Sequence, residues 1–257
     1  MTPSIRDRLA VAWNGFLNLL FPAKVKCLNC GRETEGTYLC AECEELISLI
    51  GNCPRCERCS RPLVAEERFC PSCSRGDKIY FDKCVSACVY DGLTVALIHK
   101  LKFFRCGNVA EFFADVIAPL AKTLPECDVV VPVPIKPSKI KLRGYNQCDL
   151  LGKGLCSRVN LPFLNALEKC EDSLDQLGLS GAARRRNVQG SVKVADGSSV
   201  RGKRVMLVDD VLTTGATLSE CARVLKAAGA TAVCAVTVAI TPTRVVDGET
   251  GEILIGK

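Results

Sequence analysis

The chain has 257 residues, a formal net charge of +6 and a hydrophobic content of 48%. This length and composition exclude a wholly disordered chain and allow one large domain with a smaller appended module. The first apolar stretch, residues 9–21, is interrupted by Asn14, Gly15 and Asn18, and it is too short to span a bilayer. We therefore expect no stable membrane insertion.

Residues 1–24 are predicted to form an amphipathic helix. Apolar side chains recur at helical spacing from Ile5 to Leu20, and the helix would dock on the protein itself or on a membrane surface. The alternative is a signal peptide, but Asn14 and Asn18 interrupt its apolar segment and no cleavage site of small residues follows. The prediction is therefore a cytoplasmic protein.

Cysteine is the unusual residue, with eighteen copies against a single His. Several cysteines fall before residue 74 in pairs separated by two residues, while the later ones are scattered singly through apolar segments. Such scattered thiols are typical of a reducing compartment, which argues against a disulfide scaffold. Two cysteines separated by two residues can coordinate one Zn²⁺ through their thiolates, and a second such pair completes a tetrahedral site.

Residues 25–78 are therefore predicted to form a double zinc-ribbon module with two Cys₄ sites. A segment with so few aliphatic residues needs metal in order to fold. The pair that joins Cys70 and Cys73 is either Cys53 with Cys56 or Cys56 with Cys59, and we favour the latter because the turn after it repeats the one after Cys30. The predicted ligands are Cys27, Cys30, Cys40 and Cys43 in one site, and Cys56, Cys59, Cys70 and Cys73 in the other.

From residue 79 to residue 240, strands and helices alternate, as in a parallel α/β sheet. The pattern predicts helices over 93–104, 109–124 and 217–228. It predicts buried strands over 128–134, 203–208 and 232–240. Residues 241–257 contain several charges and are expected to form a C-terminal tail.

The segment 205–217 carries the most specific chemical signal. A buried apolar strand ends in Asp209 and Asp210, and a loop of small residues then opens a helix. Hydroxyl groups and backbone N–H groups at a helix N-terminus form a cradle for an anion, and carboxylates directly before it suit a ribose diol or a metal ion. The cradle is predicted from Thr213, Thr214, Gly215, Ala216 and Thr217.

This segment resembles the phosphoribosyl pyrophosphate (PRPP) signature of type I phosphoribosyltransferases. Further segments follow the same resemblance, among them Arg143-Gly-Tyr-Asn-Gln147 and the run 97–103. Together with the double zinc module, the composite is similar to the ComF family of competence-associated, phosphoribosyltransferase-like proteins. The resemblance implies a type I phosphoribosyltransferase-like parallel sheet domain preceded by a small zinc-ribbon module.

The resemblance also implies roles for individual residues. Asp209 and Asp210 would hold the ribose hydroxyls or Mg²⁺, and residues 213–217 would hold the 5′-phosphate. Arg143 would meet the pyrophosphate from a basic loop after Val133, and Lys102 would approach the site. Arg184, Arg185 and Asn187 would lie on a loop that closes over it. The predicted catalytic residues are Asp209, Asp210 and Arg143.

Two functions follow as expectations from this resemblance. The first is a protein that binds PRPP, or another phosphorylated ribose, with Mg²⁺ and assists the uptake of single-stranded DNA, with that DNA and a DNA-translocating helicase as partners. The alternative is an active PRPP-dependent phosphoribosyltransferase that acts on an unidentified acceptor and is unrelated to DNA uptake. Tyr145 is the expected stacking residue for a base.

Overall fold

The computed structural model describes residues 24–51, 53–63, 67–74, 78–104, 106–171, 188–195 and 200–241. Contacts divide the chain into two compact units, Met1–Ile47 and Ser48–Lys257. Three predictions lie outside the described residues: the N-terminal helix, the closing loop with Arg184, Arg185 and Asn187, and the C-terminal tail.

The first unit is a small ribbon built around one group of cysteines. Strand β1 (Lys24–Lys26) pairs antiparallel with β2 (Glu33–Glu35), and the short helix α1 (Ala41–Glu44) follows. The turn between the strands has Gly31 at φ +75°, a left-handed conformation that favours glycine. This turn and the start of α1 each carry one pair of cysteines, so the four thiols face one another.

The second unit contains an α/β sheet with short additions. Its helices are α2 (Pro71–Ser74), α3 (Gly92–Phe103), α4 (Gly107–Ala121), α5 (Pro137–Arg143), α6 (Gln147–Val159) and α7 (Ala216–Ala227). Its strands are β3 (Lys83–Val89), β4 (Val129–Pro132), β5 (Leu167–Lys169), β6 (Val192–Val194), β7 (Arg204–Leu212) and β8 (Ala232–Ile240).

The main sheet has four parallel strands in the order β3-β8-β7-β4. Its strands are almost entirely buried, which agrees with their continuous apolar sequence and with helices packed against the sheet. Strands β5 and β6 form a separate antiparallel pair. The predicted parallel α/β architecture is confirmed, and the central position of β7 places its carboxyl end in the middle of one sheet edge.

The basic segment after Val133 differs from the expected loop, because part of it forms helix α5. Pro137 occupies the first helical turn, where its fixed φ and missing N–H cost nothing. Gly144 ends the helix at φ +80°, and its N–H donates to the Ile140 carbonyl at 2.7 Å. Arg143 is thereby held at the last position of a helix instead of on a free loop.

The second group of cysteines packs within the core of the second unit. Cys56, Cys59 and Cys70 are buried in one apolar cluster with residues of the sheet. The turn after Cys56 joins the edge strand directly, since the Cys84 N–H donates to the Arg58 carbonyl at 2.7 Å. This ribbon is therefore part of the same compact unit as the sheet.

Within the described ranges, no helix combines the length and the apolar character needed to cross a membrane.

Candidate functional site

Asp209 and Asp210, called here the aspartate pair, lie near the carboxyl end of β7 and have different surroundings. Asp210 is 5% exposed, and its Oδ2 lies 3.1 Å from the Lys102 Nζ. The same oxygen accepts a hydrogen bond from the Gln147 Nε2 at 2.9 Å. A buried carboxylate needs such partners, and the ammonium group of Lys102 supplies the countercharge.

Asp209 has a thiol partner in place of a cation. Its Oδ1 accepts from the Asp210 backbone N–H at 2.8 Å and from the Cys148 Sγ at 3.4 Å. Desolvation, together with the charge of Asp210, raises the pKa of Asp209 to about 7. Burial and the charge of Asp209 hold the pKa of the Cys148 thiol well above its usual range, so this thiol is a neutral donor.

Lys102 comes from the last turn of α3 and remains a cation. Burial opposes its charge, but the Asp210 carboxylate outweighs burial and raises the pKa of Lys102 above its ordinary value. One permanent positive charge therefore lies against two carboxyl groups. This arrangement leaves the aspartate pair able to accept a further cation or the hydroxyl groups of a sugar.

Arg143 joins the same network through Gln147. Its Nη1 donates to the Gln147 Oε1 at 3.0 Å, and its guanidinium lies 5.0 Å from the centre of the Phe103 ring. The structure therefore brings together Arg143, Lys102 and the aspartate pair, which come from α5, α3 and β7. The roles suggested for them by the sequence remain predictions.

The segment 213–217, called here the Thr-Thr-Gly loop, connects β7 to α7. Gly215 is the N-cap residue of α7 at φ +77°, and the Ala216 N–H donates to the Thr214 Oγ1 at 3.4 Å. The first N–H groups of a helix lack partners within the helix, and the helix dipole adds positive potential. The loop therefore offers hydroxyl and amide donors to an anion directly after the aspartate pair.

Three residues near the site were given no role from the sequence. Gln147 and Cys148 contact the aspartate pair. The sequence feature that could have indicated this position is the polar run 143–147, which ends at Gln147. Lys169 in β5 is within electrostatic reach of Asp209, and burial lowers its pKa. Nothing in its sequence context indicates that position, since β5 reaches the site only through the fold.

Tyr145, the expected stacking residue, is held by the protein. Its hydroxyl donates to the Leu101 carbonyl at 2.5 Å and its side chain is half-buried. The exposed aromatic side chains beside the site are Phe103 and Phe104 at the end of α3, which are 54% and 72% exposed.

Two groups of four cysteines have the geometry of zinc sites. In each group the sulfur atoms lie within 4.8 Å of one another. The Cys30–Cys40 and Cys59–Cys70 sulfur pairs are 3.7 and 3.6 Å apart, close to the roughly 3.8 Å edge of a tetrahedron with Zn–S bonds of about 2.3 Å. The first cysteine cluster is Cys27, Cys30, Cys40 and Cys43, the second is Cys56, Cys59, Cys70 and Cys73, and Cys53 lies outside both.

The two clusters share one backbone pattern. In the first, the Gly31 N–H donates to the Cys27 carbonyl and the Cys27 N–H to the Arg32 carbonyl. In the second, the Ser60 N–H donates to the Cys56 carbonyl and the Cys56 N–H to the Arg61 carbonyl. Ser60 even repeats the positive φ of Gly31, at +57°. Arg32 and Arg61 are therefore equivalent positions in a repeated motif.

Comparison with known families matches both parts of the chain. Residues 16–74 match the model of the double zinc ribbon domain, and residues 172–250 match that of the phosphoribosyl transferase domain. The predicted zinc-ribbon module and phosphoribosyltransferase-like domain are thus confirmed as types of domain.

Three curated relatives align with this chain over most of their own length. Competence protein F of Haemophilus influenzae is 29% identical over 79% of this chain and 92% of its own. DNA utilization protein YhgH of Escherichia coli K12 is 28% identical over 76% of this chain and 93% of its own. Competence protein ComFC of Streptococcus pneumoniae is 24% identical over 80% of this chain and 96% of its own.

Proposed function

We propose that the chain is a member of the ComF family of competence-associated proteins, that it binds a phosphorylated ribose with Mg²⁺, and that it handles single-stranded DNA during uptake. The names of these relatives, competence protein and DNA utilization protein, support the DNA part of the proposal. Because zinc thiolate sites persist in reducing surroundings, the thiol content supports a cytoplasmic location. A DNA-translocating helicase is the partner we expect there.

One observation carries the ribose part of the proposal. The aspartate pair stands at the end of the central strand, directly before the Thr-Thr-Gly loop, and Lys102 and Arg143 converge on it. A phosphorylated ribose has a diol at one end and a phosphate at the other. Carboxylates recognise the diol and the loop's donors recognise the phosphate, so the order of the groups along the chain fits the ligand.

The residues also fit Mg²⁺, which prefers oxygen ligands. The aspartate pair supplies carboxylate oxygens, while the nearby Cys148 thiol is held neutral by burial and would not compete as a soft ligand. When bound with PRPP, Mg²⁺ neutralises part of the charge on the pyrophosphate. Arg143 is then the residue of this chain best suited to bind further pyrophosphate oxygens, because its guanidinium can donate to two of them.

Calorimetric titration with PRPP, with and without Mg²⁺, tests this site. We expect Mg²⁺-dependent binding by the wild-type protein and its loss in the double variant Asp209→Ala, Asp210→Ala, with zinc content unchanged. Glu168→Gln, which removes an exposed carboxylate paired with Lys193, is the control and should bind as the wild type does. Retained PRPP affinity in the double variant would refute the site.

The surface beside the site supports binding of single-stranded nucleic acid. Phe103 and Phe104 are exposed at the end of α3, and the neighbouring α5 carries Lys139, Lys141 and Arg143. Exposed aromatic rings next to cations match the two components of a strand, since bases stack and phosphates pair with positive charges. Arg143 already lies over the Phe103 ring, which joins the aromatic surface to the ribose site.

Phe104 is the better residue for testing this surface, because substituting Phe103 would also remove its contact with Arg143. Base stacking contributes about 1–3 kcal/mol per base, so Phe104→Ala should weaken binding of a fluorescent oligonucleotide roughly tenfold. Leu49→Ala, which removes another exposed apolar side chain, is the control. Equal affinity of Phe104→Ala and wild type would exclude this surface as the DNA site.

The second candidate function is an active phosphoribosyltransferase on an unidentified acceptor. The convergence of Arg143 and Lys102 on the aspartate pair favours it, because both cations could stabilise charge on departing pyrophosphate. Release of pyrophosphate from PRPP in the presence of nucleobases and DNA ends would test it. Turnover that Asp209→Ala and Asp210→Ala abolish would establish catalysis, and binding without release would leave the first function.

A further inference from the structure

Arg61 projects from the second cysteine cluster to the site at the end of the sheet. Its side chain is 6% exposed, and its Nη2 donates to the Thr213 carbonyl at 2.5 Å. Its Nη1 donates to the carbonyl of Thr241, the residue after β8. One guanidinium thus links the first residue of the Thr-Thr-Gly loop to the end of the neighbouring strand.

The cysteine turn fixes where Arg61 begins. The Cys56 N–H donates to the Arg61 carbonyl at 2.9 Å, and the Ser60 N–H donates to the Cys56 carbonyl at 2.8 Å. The Ser60 Oγ donates to the Cys84 carbonyl in β3 at 2.9 Å. Because zinc ligands hold this turn, the position of the Arg61 backbone depends on an intact second cluster.

The far end of Arg61 meets a junction that is itself hydrogen-bonded. The Thr241 N–H donates to the Leu212 carbonyl at 3.0 Å, directly before the Thr-Thr-Gly loop. Without the guanidinium, two partly buried carbonyls would lose a charged donor, and such a bond is worth more than a neutral one. The loop would then lack its anchor on the side of the ribbon.

The charge of Arg61 also favours dependence on zinc. Within the described part of the chain, no carboxylate forms an ion pair with Arg61. A zinc ion with four thiolates carries net negative charge, whereas four protonated thiols carry none. Arg61 follows Cys59 by two residues, so a loaded second cluster would place negative charge on the same turn as this buried cation.

We propose that Arg61 is a positioning residue that makes the conformation of the Thr-Thr-Gly loop depend on the second cysteine cluster. The effect on ligand binding rests on the proposed function, while the effect on the loop does not. The equivalent Arg32 of the first cluster has no such task, since it pairs with Glu42 and both side chains are mostly exposed.

Hydrogen exchange by mass spectrometry on the zinc-loaded full chain tests the loop directly. Arg61→Ala should speed exchange in peptides covering 209–217 about tenfold, with zinc content unchanged and exchange in β4 unaffected. Arg61→Lys keeps the charge but lacks the fork that reaches both carbonyls, so it should restore part of the protection. Arg32→Ala and Arg55→Ala are matched controls, because the Arg55 guanidinium donates within its own ribbon to Ile50 and Gly51 carbonyls.

Titration of the same variants with ribose 5-phosphate gives the second measurement. We expect about tenfold weaker binding for Arg61→Ala and intermediate binding for Arg61→Lys. If the wild type fails to bind while Arg61→Ala still speeds exchange of the loop, the proposed function fails and the positioning role stands. Wild-type exchange of the loop in zinc-loaded Arg61→Ala, or an equal increase across all strands, would overturn the positioning role.

A double-variant cycle tests the link to zinc. Cys70→Ser with Cys73→Ser should remove the second zinc and speed exchange of the loop at least as much as Arg61→Ala does, together with slower-exchanging parts of the core. Adding Arg61→Ala to this variant should then change loop exchange by less than twofold, because both changes break the same connection. Fully additive effects would show that Arg61 and the second cluster act on the loop separately and would refute the coupling.

Discussion

Asp209 and Asp210 are adjacent in the sequence but have opposite surroundings in the fold. Asp210 meets Lys102 and Gln147, whereas Asp209 meets the neutral thiol of Cys148. Two carboxylates so close together resist being ionised at the same time, and only one of them has a cation at hydrogen-bond distance. The proton therefore stays on the Asp209 side of the pair up to about pH 7.

This difference predicts how stability depends on pH. An unfolded carboxyl group titrates near pH 4 and the folded Asp209 near 7, so across that window the folded state keeps a proton that the unfolded state releases. The contribution of Asp209 to the unfolding free energy of the wild type therefore falls as pH rises through this window, and above the window it no longer changes. Asp209→Asn has no titrating group here, so its unfolding free energy relative to wild type should rise by roughly 2–3 kcal/mol between pH 5 and pH 8.

Urea unfolding of both proteins at the two pH values measures that difference. Groups remote from Asp209 titrate alike in both proteins, so their effects cancel in the comparison. A difference in unfolding free energy that is the same at both values would contradict the raised pKa of Asp209.

Helix α6 positions Gln147 and Cys148 at its first turn, and it is itself fixed by close packing on α4. A Cβ at Gly154 would lie 3.0 Å from the Ala114 Cβ and 3.2 Å from the Glu111 Oε1. The Arg158 guanidinium bridges the same two helices through Asp115 and Glu111. The glycine allows the two helix axes to approach each other, and this packing fixes the position of Gln147 and Cys148 at the start of α6.

Gly154→Val should therefore destabilise the second unit. Forcing a branched side chain into this contact costs about 1–3 kcal/mol, more than the gain in helix propensity returns. Gly107→Ala at the start of α4 is the control, because nothing lies within 4 Å of its added Cβ. Thermal unfolding should show a lower midpoint for Gly154→Val alone, and equal midpoints for all three proteins would contradict this contact.

For the molecule as a whole, the two similar cysteine clusters belong to different compact units. The first lies before the division at Ile47, whereas three cysteines of the second are buried in the core that includes the sheet. Loss of metal should then have unequal consequences. At the second cluster it removes packing and hydrogen bonds of the main core, including those of Ser60 and Arg61.

Paired Ser variants test this inequality. Cys27→Ser with Cys30→Ser, and Cys56→Ser with Cys59→Ser, should each lower zinc from about two ions per chain to about one. The second variant should also lower the unfolding free energy of the sheet-containing unit by about 3 kcal/mol or more, and the first should leave it near the wild-type value. Zinc analysis and urea unfolding measure both quantities, and equal destabilisation by the two variants would refute the assignment of the second cluster to the core.

The sequence by itself determined what depends on neighbouring residues. Cysteine pairs with a two-residue gap predict zinc ribbons, and an apolar strand followed by the aspartate pair and the Thr-Thr-Gly loop predicts an anion cradle, because each motif is closed within a few residues. Alternation of strands and helices likewise predicted the parallel sheet.

Only the tertiary structure decided what depends on residues far apart in the chain. It placed Cys59 in the second cluster and left Cys53 outside it. The Tyr145 hydroxyl is hydrogen-bonded within the protein, whereas Phe104 is exposed. Lys169 lies within electrostatic reach of Asp209. Arg61 reaches Thr213 across 152 positions of the chain. No local pattern records such a contact, because it exists only after the ribbon and the sheet have packed into one core.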